Sequence, residues 1–177
     1  MRATMGTTWL ALAGATMLAG CATAPATPGP RDMTFFVTST GPGNGGNLGG
    51  LAGADAHCAK LAKAAGGPDR PWRAYLSTQA PALNDPNFVN ARDRIGPGPW
   101  QNYNGVVVAR SVDDLHSTGN NLSKQTTLDE RGNLVNGRTE TPNKHDMLTG
   151  SRPDGTAFPG APFPDMTCGN WTKGGTD

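Results

Sequence analysis

The chain has 177 residues, with 15 Lys+Arg against 14 Asp+Glu. Apart from Arg2 near the N-terminus the two signs cancel, so bulk charge offers no attraction for nucleic acid or for an anionic membrane surface. The length allows one domain with a single core. The 25 Gly and 15 Pro imply many turns and few long regular elements, while balanced charge and recurring apolar segments exclude general disorder.

Arg2 is followed by an uncharged run from Trp9 to Gly20, an export-signal core too short to span a bilayer as a mature helix. It ends in Leu18-Ala19-Gly20-Cys21, which resembles the lipobox of bacterial lipoproteins, with Cys21 as the thiol that takes the diacylglyceryl group. The alternative is an ordinary secretory signal cleaved near a cysteine. Ala22 stands where an inner-membrane retention signal would place Asp, which points to the outer membrane. The expected organisation is a signal over residues 1–20, the lipidated cysteine and a flexible tether over 21–33, and one domain over 34–177.

Within that domain, Thr34 to Ser39 is β-branched and aromatic and reads as a first strand. The glycine-rich stretch Gly41 to Gly50 cannot be a regular element. Leu51, Ala54, Cys58, Leu61, Ala62 and Ala65 recur at helical spacing before Gly66 and Gly67, which predicts a helix over 51–65 with Cys58 on its buried face. Pro71 to Ser77 alternates like a strand, Pro81 to Pro99 is irregular, and Val106 to Ala109 is a short buried strand followed by a helical turn or loop at Val112 to Leu115. Asp129-Glu130-Arg131-Gly132-Asn133, flanked by Leu128 and by Leu134 and Val135, signals a hairpin. Asp146 to Ser151 and Met166 to Thr172 read as final strands. One helix, about six short strands and long loops make an α+β domain.

With Cys21 assigned to lipid, Cys58 and Cys168 remain in an oxidising compartment, where a disulfide is the economical reading and two free thiols the alternative. Such a bridge would restrict the unfolded chain by roughly 4 to 5 kcal/mol on the entropic model.

Several motifs in order resemble endostatin, the C-terminal domain type of collagen XVIII. They are Gly50 to Cys58 with Ala62 and Gly66, Trp72-Arg73-Ala74-Tyr75-Leu76-Ser77, Arg92-Asp93-Arg94 with Val106 to Ala109 and Asp114-Leu115, Gly150 to Gly155, and Thr167-Cys168-Gly169-Asn170-Trp171-Thr172. The resemblance spans most of Gly50 to Lys173 and implies an endostatin-like fold related to C-type lectins, a disulfide between Cys58 and Cys168, and an extracellular binding module. The calcium-ligating Glu-Pro-Asn, Gln-Pro-Asp and Trp-Asn-Asp motifs of true C-type lectins are absent, as are the N-terminal histidines and dense surface arginines of endostatin.

Gly41-Pro42-Gly43-Asn44-Gly45-Gly46 fits a phosphate-loop pattern, but Pro42 removes an amide donor and the helix begins several residues later. His57, His116 and His145 are scattered, without metal-ligand spacing, and Ser77, Ser111 and Ser151 have no nucleophile context. Catalytic and metal-ligating residues are therefore expected to be none, with a hydrolase the lesser alternative. Asp113, Asp114, Asp129 and Asp154 are the loop carboxylates that calcium could use, although Asp-Gly is ordinary turn chemistry. No other cofactor is implied. Trp72 and Trp171 read as core. The ligand patch is expected between about Asn90 and His116, where Arg92, Arg94 and Arg110 could pair with sulfate or carboxylate while Trp100 and Tyr103 stack on a sugar ring. The expected function is a non-catalytic lipoprotein that meets the membrane through its anchor and binds a glycan or an envelope or extracellular macromolecule. A structural envelope component without soluble-glycan recognition is the competing reading.

Overall fold

The computed structural model describes residues 29–175, so the expected export signal, Cys21 and residues 21–28 of the expected tether lie outside the described residues. The fold is α+β, with one long helix, a two-stranded antiparallel sheet and extended loops. A 3-10 turn at Pro30–Asp32 leads in. Helix α1 (Gly50–Ala64) follows the glycine-rich loop; it starts at Gly49, whose φ of 75° needs no Cβ, and stops at Gly66. The sequence places this helix to within one residue at each end.

After α1 come α2 (Ala91–Arg94), β1 (Trp100–Gln101), β2 (Val107–Ala109), α3 (Val112–Leu115) and α4 (Cys168–Trp171). Strands β1 and β2 pair antiparallel, Trp100 opposite Ala109, with an irregularity after Trp100. The hairpin forms as expected: Leu128 bridges Leu134, and the Asp129 carboxylate accepts the amides of Arg131 and Asn133, closing the turn. Ser111 caps α3 by accepting from the Asp114 amide.

The other expected strands are corrected. Residues 34–39 are extended but make a single bridge, Val37 to Asp129; the amides of Thr34 and Phe35 both donate to the Gln101 carbonyl. Residues 71–77 are extended without a ladder, and the Ser77 amide donates to Thr149 of the other expected strand, 146–151. With Gly and Pro recurring every few residues, each pairing ends before a second bond can extend it. Residues 166–172 turn instead of extending. Cys168, Gly169, Asn170 and Trp171 have φ of 50°, 62°, 54° and 67°, so α4 is a left-handed turn.

The core is three small clusters rather than one slab. Met33, Ala62 and Trp72 form the first, where the Phe36 ring meets Trp72 edge-on at 4.9 Å. Ala54, Leu76 and Trp171 form the second, and Trp100, Val108 and Ala109 the third. Trp72 and Trp171 are core residues, as their motifs suggest.

The disulfide expectation is corrected too: Cys58 and Cys168 are free thiols. Cys58 packs against the Met33–Trp72 cluster, whereas the left-handed turn sets Cys168 against Gly46, where a methyl group would stand 2.6 Å from its sulfur.

Candidate functional site

The expected ligand patch does not assemble. Trp100 is buried in the third core cluster, and Tyr103 packs partly buried against the first, with its ring beside Gly132. Arg94 is 12% exposed and donates to the Asp55 carboxylate at 2.8 Å and to the Ala74 carbonyl. Arg92 donates to Asp113 and to the Asp154 carbonyl, both at 2.9 Å. Arg110 alone is exposed, its backbone amide donating to Asp114. The Arg92 and Arg94 guanidiniums are engaged by carboxylates of α3 and α1, and the aromatics are needed where apolar side chains are scarce.

Loop carboxylates are similarly committed. Asp113 pairs with Arg92, Asp129 closes the hairpin and Asp154 accepts from Thr156. His57 lies 2.7 Å from the Thr40 carbonyl, His145 pairs with Asp146, and His116 joins the Tyr75 hydroxyl at 2.7 Å and the Val112 carbonyl at 2.6 Å. Buried Glu130 accepts from the Ser39 amide at 3.0 Å and the Ser39 hydroxyl at 2.6 Å.

Among the described residues, an open groove of about 420 Å³ runs between residues 79–81 and 161–170, with Phe163, Asp165, Thr167 and Asn170 on its lining. Its frame starts at Gln79. That buried amide donates to the carbonyls of Pro159 at 2.6 Å and Pro164 at 2.8 Å and accepts from the Met166 amide at 2.7 Å. It thereby fixes a proline-rich segment that has few amides of its own. Gly160 lets this segment approach, because a Cβ there would stand 2.4 Å from the Ala80 carbonyl. Ala82 and Ala161 then bridge.

The far wall is the left-handed turn α4. Asn170 clamps it to Gln79, accepting from the Gln79 amide at 2.7 Å and donating to the Gln79 carbonyl at 3.1 Å. Trp171 is anchored by its indole N–H to the Ser77 carbonyl at 2.8 Å. Asp165 accepts from the amides of Thr167 at 2.8 Å and Gly169 at 2.6 Å and from the Thr167 hydroxyl at 2.8 Å. Burial pushes the Asp165 carboxyl up, but those three hydrogen bonds, with the charge of Lys173, outweigh it and hold the group below the usual carboxylate range.

Phe163 stands 52% exposed on the lining. The groove thus pairs an apolar ring with an ionised carboxylate and an amide, all on a frame whose polar groups are satisfied. That combination can hold a ligand with one apolar face and one hydroxyl-rich edge. The sequence reading passed over Phe163, Asp165, Asn170 and Gln79. The signal was present in Asp165-Met-Thr167-Cys-Gly169-Asn170: Asp and Thr cap turns, and Gly and Asn tolerate positive φ, which argues for a turn over a strand. No protein-family model, curated protein or solved structure matches this chain.

Proposed function

We propose that the protein is a lipid-anchored envelope protein whose endostatin-like, lectin-related domain binds glycan in the groove between residues 79–81 and 161–170. The observation that carries this reading is the half-exposed Phe163 ring lining the same groove as Asp165 and Asn170. A sugar ring has an apolar C–H face and a rim of hydroxyls; the phenyl ring matches the first, and for the second Asp165 Oδ2, which holds the Gly169 amide alone, can still accept, while Asn170 Nδ2 keeps one N–H to donate. Hydrolysis of a glycosidic bond ordinarily uses two carboxyl groups about 5 to 9.5 Å apart. Asp165 is the carboxylate on this lining, which favours holding a glycan over cleaving it. The lectin-related fold is supported by the ordered motifs from Gly50 to Lys173 together with one long helix under long loops. Export and anchoring at Cys21 are supported by the Leu18-Ala19-Gly20-Cys21 motif.

A glycan array probed with residues 22–177, with and without calcium, tests the reading. The chain should bind a defined set of glycans; Phe163→Ala should weaken binding about tenfold, and Phe163→Tyr should restore it. Thermal midpoints should stay unchanged, because the ring is half in solvent. Binding to no glycan would favour a structural envelope role, and full binding by Phe163→Ala would move the site elsewhere.

A further inference from the structure

The chain enters the domain at the 3-10 turn Pro30–Asp32, which lies beside the C-terminal end of α1: a methyl group on Gly66 would stand 4.0 Å from the Pro30 ring. Met33, the next residue, is fully buried against Ala62 and Trp72. The stretch from Cys21 to Pro30 can reach at most about 30 Å even when fully extended. Whatever surrounds this entry point therefore stays close to the headgroups that hold the anchor.

Four cations lie on the segments that meet there. Arg31 is in the entry turn, Lys60 and Lys63 are exposed on the last turns of α1, and the Arg70 guanidinium lies 5.8 Å over the Trp72 ring. None of the four side chains makes a hydrogen bond or ion pair among the described residues, whereas Arg73, Arg92 and Arg94 are neutralised by Asp55 and Asp113. Asp32, Asp55 and Asp69 are the acids between Arg31 and Arg70, and Asp55 is taken up by Arg73 and Arg94, so the cations are in excess there although the whole molecule is balanced.

From this placement we infer that the face formed by Arg31, Lys60, Lys63 and Arg70 docks on anionic phospholipid headgroups beside the anchor. The inference rests on the anchor proposed at Cys21. Docking sets the orientation of the groove. The Leu48 amide just before α1 donates to the Trp171 carbonyl at 2.9 Å, so α4 and the groove sit by the start of the helix. The basic face is at its other end, about 20 Å away along a helix of this length. Contact at one end therefore points the groove away from the membrane.

Lysine acylation in nanodiscs tests this, with the mature lipoprotein carried in discs of phosphatidylglycerol or phosphatidylcholine and intact mass recorded first. Lys173, near the groove end of α1, serves as the internal reference. At about a fivefold gain in partition per basic residue, Lys60 and Lys63 should acylate at least tenfold more slowly relative to Lys173 in anionic discs than in zwitterionic ones. High salt should remove the difference, as should Arg31→Glu/Arg70→Glu, which leaves both reporter lysines in place. Equal relative rates in the two discs, with the diacylglyceryl mass present, would overturn the docking face while leaving the anchor intact. Absence of that mass would overturn the anchor itself, and the docking face with it.

Discussion

Cys58 and Asn170 show how a single side chain is governed by its surroundings. Burial pushes the Cys58 thiol up to about 11; the Asp55 charge adds to the rise and Arg94 partly opposes it. At pH 8 the thiolate is then only about a thousandth of the population, and the thiolate is the form that reacts. Iodoacetamide should therefore alkylate Cys58 about a hundredfold more slowly in the folded protein than in the unfolded chain. Peptide mapping after denaturation without reductant should find Cys58 and Cys168 both alkylated, and a cross-linked 58–168 peptide would contradict the free thiols. Asn170 faces a different demand, since its backbone is left-handed while its amide satisfies Gln79 on both sides. Asn170→Ala removes both of these hydrogen bonds and the one accepted from the Thr167 hydroxyl, and adds strain at a positive φ, so urea denaturation should show a loss of about 2 to 4 kcal/mol. Asn170→Gly removes the same bonds but tolerates the backbone, and should lose about 1 kcal/mol less. Equal losses would show that the left-handed conformation costs little.

At the scale of elements, what distinguishes this chain is how little of its order comes from repeated pairing. Helix α1 needs no partner for its hydrogen bonds, so its apolar period and its glycine ends specify it locally. The extended segments have no such independence: Thr34 and Phe35 share one acceptor at the end of β1, and Ser77 finds one on the 146–151 segment, without a second bond to extend either pairing. Turn α4 is the opposite case to α1. Three non-glycine residues in left-handed conformation cost roughly 1 to 2 kcal/mol apiece, and the turn persists because Trp171 is 99% buried and the Gln79, Asp165 and Thr167 contacts hold it. Its shape exists only in the folded domain, as does the groove it walls.

Across the whole molecule, the Asp55 carboxylate is the polar joint that ties α1 to two distant segments. It accepts from the Ala74 amide at 2.8 Å and pairs with Arg73 and Arg94, each at 2.8 Å, so α1, the 71–77 segment and α2 meet on one side chain that is 12% exposed. Burial raises the Asp55 carboxyl, but the Ala74 amide and the two guanidiniums outweigh it and leave the group lowered. A carboxyl lower in the folded than in the unfolded state stabilises at neutral pH, and that contribution is lost as pH falls below about 4. Asp55→Ala leaves Arg94 buried without its partner and should cost about 3 to 5 kcal/mol at pH 7. The gap between wild type and variant in thermal denaturation should narrow at pH 3; a gap independent of pH would mean that the carboxyl acts through packing alone. The sequence by itself determined the span of α1, the 129–133 turn, the short strand at 107–109 and the core roles of Trp72 and Trp171, because periodicity, capping and turn chemistry act over a few residues. Only the tertiary structure decided the rest. Asp55 stands 39 positions from Arg94, and Gln79 stands 91 from Asn170, so nothing local shows that the first arginine is neutralised or that the second pair frames a groove. Trp100 and Phe163 differ for the same reason: each is an aromatic in a Pro/Gly-rich loop, and which one is buried depends on what packs over it from elsewhere in the chain.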